Sequence, residues 1–322
     1  MKKVILALLM ALLLTGCSPT DTIISDKPTI VCTGFSQYDW VLNILGEEAN
    51  NWNLIRLNEG GADMHSYQPN AKDMARIINA DLIVYTGGLS EEWIVEVIEE
   101  NKNFKGEAYC LLDEGHALDE VTVEGMFSKG HGHDHDHENT HEDHEESCQL
   151  DEHIWLSLDN AKNFCSDLAE IIGLLDKTNA KTYVSNASAY ILQLETLEQK
   201  YTDSLSNTNN HTLIFADRFP FLYLAEDFGL EYFAAFPGCS AETEASFDTI
   251  IFLADKLKEH KLPALLITES SQDKVAKTII KTAGLDDTEI VRLNSLQSVT
   301  DTETTYIGAM EKNLEVLLKV LN

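Results

Sequence analysis

Six histidines crowd into fourteen residues near the middle of the chain: His131, His133, His135, His137, His141 and His144, in the run HGHDHDHENTHEDH. Acids fill most of the gaps between them. Neutral imidazole suits zinc, copper, nickel and iron, and neighbouring carboxylates lower the cost of holding a divalent cation. No Val, Ile, Leu, Phe or Trp interrupts the run, so it has nothing with which to pack a core. A solvated acidic loop with incidental histidines is the plain alternative. More than half of the chain's eleven histidines lie here, however, which points to cation binding by a flexible segment.

A second chemistry is written in the same residues. His137-Glu138-Asn139-Thr140-His141 matches HExxH, the pattern of zinc metallopeptidases. That chemistry needs both histidines on one face of a packed helix, with the glutamate over a metal-bound water. The run is of low complexity and has no apolar face, so the match is of the kind that composition alone produces. No GxSxG elbow or Walker A loop occurs either. A non-enzymatic protein is expected.

The elements around the run have a regular grammar. In the first half, strand-like segments at 29–33, 52–57, 81–86 and 107–112 alternate with helical ones at 38–45, 72–79 and 91–99. In the second half, strands at 212–216, 231–235, 264–268 and 290–293 alternate with helices at 221–228, 249–260, 274–283 and 306–321. Short strands alternating with helices indicate parallel βαβ units. Between the halves, Tyr183, Ala187, Tyr190, Leu194, Leu197, Tyr201 and Leu205 recur at spacings of three and four. That spacing predicts one long helix with a single apolar face, a stiff strut between two α/β lobes.

In open α/β sheets ligands bind beyond the carboxyl ends of the strands. Four ligand-type side chains sit there: His65 after the second strand, His153 before a helix, Asp217 after Leu213-Ile214-Phe215-Ala216, and Glu269 after Leu265-Leu266-Ile267-Thr268. Each alone reads as a cap or a surface residue. Together, two from each half, they could hold a cation that ties the lobes together.

The ends and the charge set the compartment. Lys2 and Lys3 precede an apolar run from Val4 to Leu14, too short to span a bilayer and of the length of a signal-peptide core. Leu14-Thr15-Gly16-Cys17 then resembles a bacterial lipobox, with Cys17 as the lipidated N-terminus. The formal charge is −31, and removal of residues 1–16 takes away two lysines, leaving 21 basic against 54 acidic side chains. Such a field repels nucleic acid and concentrates cations. Five cysteines remain beyond Cys17, with no CxxC pair to suggest a thiolate zinc knuckle. One or two disulfides could form among them.

GADMHSYQP, KDM and ADLIVYTGG with Glu92-Trp93, then DEHIWLS and GCSAETEAS, resemble the zinc and manganese solute-binding lipoproteins of bacterial ABC importers, the TroA-like and ZnuA-like cluster A-I family. The resemblance spans nearly all of the mature chain and keeps the family's motif order. It implies two Rossmann-like α/β lobes joined by a long rigid helix, with a metal buried in the cleft. Accordingly, 1–16 is expected to be a signal peptide and 17–27 a lipidated tether. An N-terminal lobe at 28–176 would carry the His-rich acidic loop at about 128–148. The connecting helix would occupy 177–207 and a C-terminal lobe 208–322.

His65, His153 and Glu269 fall on the family's ligand positions. The third position departs: counted back from Phe228-Gly229-Leu230 it falls on Arg218, which has no lone pair to give a cation. Asp217 would serve with a shift of one residue. Cys239 could also swing in, with a small buried thiol as the simpler reading, or a water or a loop histidine could complete the site. Two histidines and two carboxylates accept zinc and leave manganese open, and the histidine run leans towards Zn2+ over Mn2+.

The expected function is high-affinity zinc capture at the outer face of the cell membrane, by a lipid-anchored monomer that delivers the metal to an importer's permease and ATPase. A surface adhesin or metal-buffering lipoprotein is the alternative. Because ligands must be deprotonated, binding should weaken as pH falls towards about 6.

Overall fold

The computed structural model describes residues 27–102, 104–126, 149–240 and 244–322. The signal segment, Cys17, the six histidines of the run with their HExxH match, and Cys148 lie outside these residues. In the first lobe β1 (Thr29–Cys32), β2 (Asn53–Arg56), β3 (Leu82–Tyr85) and β4 (Glu107–Cys110) form a parallel sheet in the order β2-β1-β3-β4. Val31 of β1 pairs with Ile55 on one side and Ile83 on the other. β3 is buried along its whole length, which is why it reads as a continuous apolar run with no alternation.

The crossovers are α1 (Phe35–Leu45), α2 (Ala71–Ile78) and α3 (Glu92–Glu100). A capping box starts α2: Asn70 accepts from the N–H groups of Lys72 and Asp73, and Asp73 accepts from Asn70 N–H. Beyond one helical turn at Leu111–Glu114, the further helices before the second sheet are α4 (Leu158–Leu175) and α5 (Ala180–Leu205). In the second lobe β5 (Thr212–Phe219), β6 (Glu231–Pro237), β7 (Ala264–Thr268) and β8 (Glu289–Leu293) repeat the pattern in the order β6-β5-β7-β8. Their helices are α6 (Leu222–Phe228), α7 (Phe247–His260), α8 (Lys274–Ala283) and α9 (Tyr306–Leu321). The expected α/β architecture of two parallel lobes is therefore what the chain adopts.

The long helix buries the stripe that its spacing marks out: Tyr183, Ala187, Tyr190, Leu194, Leu197, Tyr201 and Leu205 all face inward. Its tyrosines also satisfy their hydroxyls, as buried phenols must. Tyr190 donates to Asp39 Oδ2 of α1 at 3.0 Å, Tyr201 donates to the carbonyl of Met310 in α9, and Tyr183 accepts from Trp52 Nε1 at 3.0 Å. The strut is thus bonded to elements of both lobes. Tyr306 strengthens the same junction: its N–H donates to Asp39 Oδ2 and its hydroxyl to the carbonyl of Trp155 at 2.7 Å.

Both sheets have their central strand pair at the point where strand order reverses, β1/β3 in one and β5/β7 in the other. The crevices at those carboxyl ends are where such sheets take ligands. The expected strand at 212–216 runs on to Phe219 because of a bulge: Phe215 pairs with Ala234 and Arg218 with Phe236, so Ala216 and Asp217 together oppose Ala235. A bulge re-aims the side chains that follow it. Cys32, Cys110, Cys165 and Cys239 are free thiols. Among the described residues, no helix is long and apolar enough to cross a membrane.

Candidate metal centre

His65 is placed by a short turn. Beyond β2, Asn58 clamps the loop through Ala62, accepting from its N–H at 3.0 Å. Asp63 then caps the 3-10 turn Met64–Ser66, with Oδ1 accepting from His65 N–H at 3.0 Å. His153 opens a similar turn, Ile154–Leu156, and is fully buried. The two imidazoles meet with Nε2 atoms 3.3 Å apart. Two nitrogens bound to one tetrahedral zinc at about 2.0–2.1 Å would lie about 3.3–3.4 Å apart.

The opposite ring nitrogens explain that geometry. His153 Nδ1 lies 3.0 Å from Asp151 Oδ1, and the same oxygen accepts from His153 N–H at 2.8 Å. His65 Nδ1 lies 2.7 Å from Ser90 Oγ and 3.4 Å from Glu152 Oε2. Both acids are buried, at 1% and 0% exposure, and Glu152 Oε2 has no hydrogen-bond partner of its own. With Nδ1–H turned to an acceptor in each ring, both Nε2 lone pairs point at one spot, as in carboxylate–histidine–metal arrangements. Two lone pairs at that distance repel unless a cation or a proton lies between them.

The elements leave room for this arrangement. Gly88 adopts φ +75°, and a Cβ there would sit 2.5 Å from Glu152 Oε1, so a side chain would displace the acid behind His65. Glu91 fixes the same loop, with Oε2 accepting from the N–H groups of Thr86 and Gly87 at 2.6 and 3.1 Å. Burial pushes the Glu91 carboxyl up to about 7. The segment 151–153 is held from the other lobe by Tyr223, whose hydroxyl donates to the carbonyl of Asp151 at 2.8 Å.

Burial first, then the proximity of His153, pushes His65 down to about 4. Burial thus favours the neutral ring, the form that can give a lone pair to a cation. Burial alone would raise Asp63, but the hydrogen bond and charge of Arg218 outweigh it and hold the carboxyl low.

The C-terminal carboxylates are engaged differently. Asp217 Oδ2 accepts from Thr268 N–H at 3.2 Å, from Thr268 Oγ1 at 2.5 Å and from Ser271 Oγ. It braces the end of β5 to the end of β7. Arg218, in the slot where the family pattern has a ligand, reaches across the cleft to pair with Asp63. Glu269 accepts from Ser295 N–H at 2.9 Å and Ser295 Oγ at 2.8 Å, next to the bond from Trp155 Nε1 to the Ser295 carbonyl. A cleft of about 600 Å³ opens between Asp63, His65 and Ser66 on one side and Asp217, Arg218 and Ser271 on the other.

Among the described residues, two groups bring three ligand-type atoms within 4.8 Å of one another: His65, His153 and Cys239, and Glu120, Asp151 and Cys239. Of the four strand-end residues singled out from sequence, the structure thus brings His65 and His153 together. It sets Asp217 and Glu269 at neighbouring strand ends against hydroxyl and amide donors. Cys239, read from sequence as a small buried thiol or an alternative ligand, is only partly buried and lies near both histidines. Asp151, Glu152 and Ser90 were not singled out as orienting groups. The available signal was the pair of acids directly before His153.

Residues 119–120 and 149–150 are joined beside this cluster. An antiparallel bridge joins Asp119 to Leu150, Glu120 N–H donates to the Gln149 carbonyl at 2.7 Å, and Cys239 N–H donates to Glu120 Oε1 at 2.9 Å.

Comparison with known proteins agrees with this architecture. Residues 30–320 match the family model described as "ZnuA: Zinc-uptake complex component A periplasmic", and the chain belongs to that family. It is 30% identical over 323 residues to the zinc-binding lipoprotein AdcA of Streptococcus pneumoniae (strain ATCC BAA-255 / R6), a match covering 98% of this chain and 60% of that one. The chain therefore spans about 60% of the length of that relative. It is also 26% identical over 303 residues to the metal ABC transporter substrate-binding lipoprotein ScbA of Streptococcus cristatus, covering 92% of this chain and 90% of ScbA. The crystal structure of the Zn(II)-bound ZnuA-like domain of S. pneumoniae AdcA superposes with a TM-score of 0.69 at 26% identity, covering 92% of this chain and 99% of that domain.

Proposed function

We propose that this protein captures zinc outside the cytoplasm and delivers it to an ABC-type importer, acting as a binding protein without catalytic turnover. The observation that carries the reading is the pair of imidazole Nε2 atoms 3.3 Å apart, His153 backed at Nδ1 by buried Asp151 and His65 by Ser90 Oγ with buried Glu152 behind it. The proposed ligands are His65 and His153 from one lobe and Glu269 from the other, with the third position open to Asp217 or Cys239 of the same lobe. Zn2+ is the proposed cargo over Mn2+, because the converging donors are nitrogens, which manganese favours less than oxygen. Membership of the zinc-uptake family and the zinc named for AdcA support the same choice.

Cys17 anchors the chain by its lipid, in keeping with relatives named as lipoproteins. The loaded monomer presents its lobes to a permease whose ATPase drives import. The segment carrying His131, His133, His135, His137, His141 and His144 is an accessory collector, a role its density of imidazoles and acids supports. Calorimetry on tag-free protein tests the reading. One tight zinc site should survive deletion of residues 128–148 and disappear in the H65A/H153A double variant. Tight binding that vanishes with the loop and persists without the two histidines would overturn it.

A further inference from the structure

Resting on the reading of this cleft as a cation site, we propose that Cys239 binds the captured zinc directly, as a thiolate facing the two imidazoles from the opposite lobe. Three observations place it there. Its sulfur lies within 4.8 Å of a ring nitrogen of both His65 and His153, and a tetrahedral zinc would bring nitrogen and sulfur to about 3.6 Å, a short closure.

The backbone before it is built for close approach. A Cβ on Gly238 would meet Phe219 O at 2.8 Å, Asp151 Oδ2 at 3.0 Å and His153 Cε1 at 3.2 Å, so only glycine lets this loop lie against the histidine ring. The residue is also tied down, its N–H donating to Glu120 Oε1 at 2.9 Å. Meanwhile the competing third ligand is occupied: three donors converge on Asp217 Oδ2, and the neighbouring Arg218 is spent on Asp63.

The step is a proton-for-metal exchange. The S–H bond breaks, the proton leaves to solvent, and the sulfur lone pair forms the bond to Zn2+, with no change of oxidation state. A thiolate is a ligand that zinc accepts and manganese does not favour, so this one residue would resolve the ambiguity of a histidine–carboxylate set. It would also make the cation itself the link between the lobes, with histidines on one side and sulfur on the other.

Cobalt(II) titration of the full chain in a C148S background tests this. One equivalent should produce a thiolate-to-cobalt charge-transfer band in the near ultraviolet, lost in C239S. Zinc affinity in C239S should fall by about 10–100-fold, at least the loss seen when a ligand's orienting partner is removed, while manganese affinity stays unchanged. Absence of the band from the wild-type spectrum, with tight binding that depends on His65 and His153, would overturn the thiolate and leave cation capture standing. That spectrum decides against the proposal even if C239S does not fold. A band that survives in H65A/H153A and is lost in E120Q would place the sulfur in the acidic cluster and equally overturn it. Tight zinc binding untouched by H65A/H153A would instead sink the capture reading on which the proposal rests.

Discussion

Asp151 and Glu152 decide what the two histidines can do. An imidazole free to rotate offers either nitrogen to a metal, and its entropy is lost on binding. Here His153 is fixed at Nδ1 by Asp151 at 3.0 Å and His65 by Ser90 Oγ at 2.7 Å, with Glu152 accepting from Ser90 N–H and lying 3.4 Å from the same nitrogen, so the ligand lone pairs are aimed before any cation arrives. Such orienting groups are worth about 10–100-fold in affinity. D151N and E152Q, which keep side-chain size and remove the charge, should each weaken zinc binding in that range by competition titration with a chelating dye. Unchanged affinity would mean that packing alone orients the rings. The adjacency of Asp151, Glu152 and His153 is visible in the sequence. That Glu152 serves the other histidine, 87 positions earlier, is not, because it depends on Gly88 admitting the acid behind Ser90.

At the scale of elements, the loops at the strand ends are held by buried polar groups whose ionisation carries a cost. Glu91 anchors the turn after β3 and its carboxyl is pushed up to about 7 from an ordinary 4.5, because burial disfavours its charge. The folded state therefore binds the proton more tightly than the unfolded chain. That contribution to stability is fully present below about pH 4.5 and is lost as pH rises through about 7. Its full size is on the order of 3 kcal/mol for a shift of this extent. E91Q keeps an acceptor for Thr86 and Gly87 without the charge. Urea unfolding of the metal-free variant should match wild type near pH 5 and show a gain of up to that order near pH 8. Equal stabilities at both values would show that the carboxylate is solvated. The bulge in β5 works at this scale too, since the extra residue lets Asp217 and Arg218 serve different partners in different lobes. Composition marked both residues, but a one-residue change of register leaves no trace in the sequence.

For the whole molecule, the long helix and the charge act together. A strut bonded to Asp39 on one side and Met310 on the other favours small adjustments of the cleft loops over wide hinge motion. A formal charge of −31 gives the chain a net field that attracts cations from a distance. Salt shortens the reach of that field, to about 10 Å at 0.1 M. Stopped-flow measurement should show the zinc association rate falling as ionic strength rises from low to physiological, with the dissociation rate nearly constant. An association rate independent of salt would confine the charge to a role in solubility.

What the sequence determined by itself is what depends on local pattern. Apolar runs became central strands, the spacing of Tyr183 through Leu205 became the buried face of the strut, and ligand-type residues at strand ends followed from parallel α/β topology. What only the tertiary structure decided is which of those residues meet. His65 and His153 converge, Cys239 faces them over Gly238, and Asp217 turns to Thr268, through turns and a bulge whose side-chain directions are set by contacts distant in the chain. A metal centre is a set of directions within about an ångström, and those directions are properties of packing, not of any one segment.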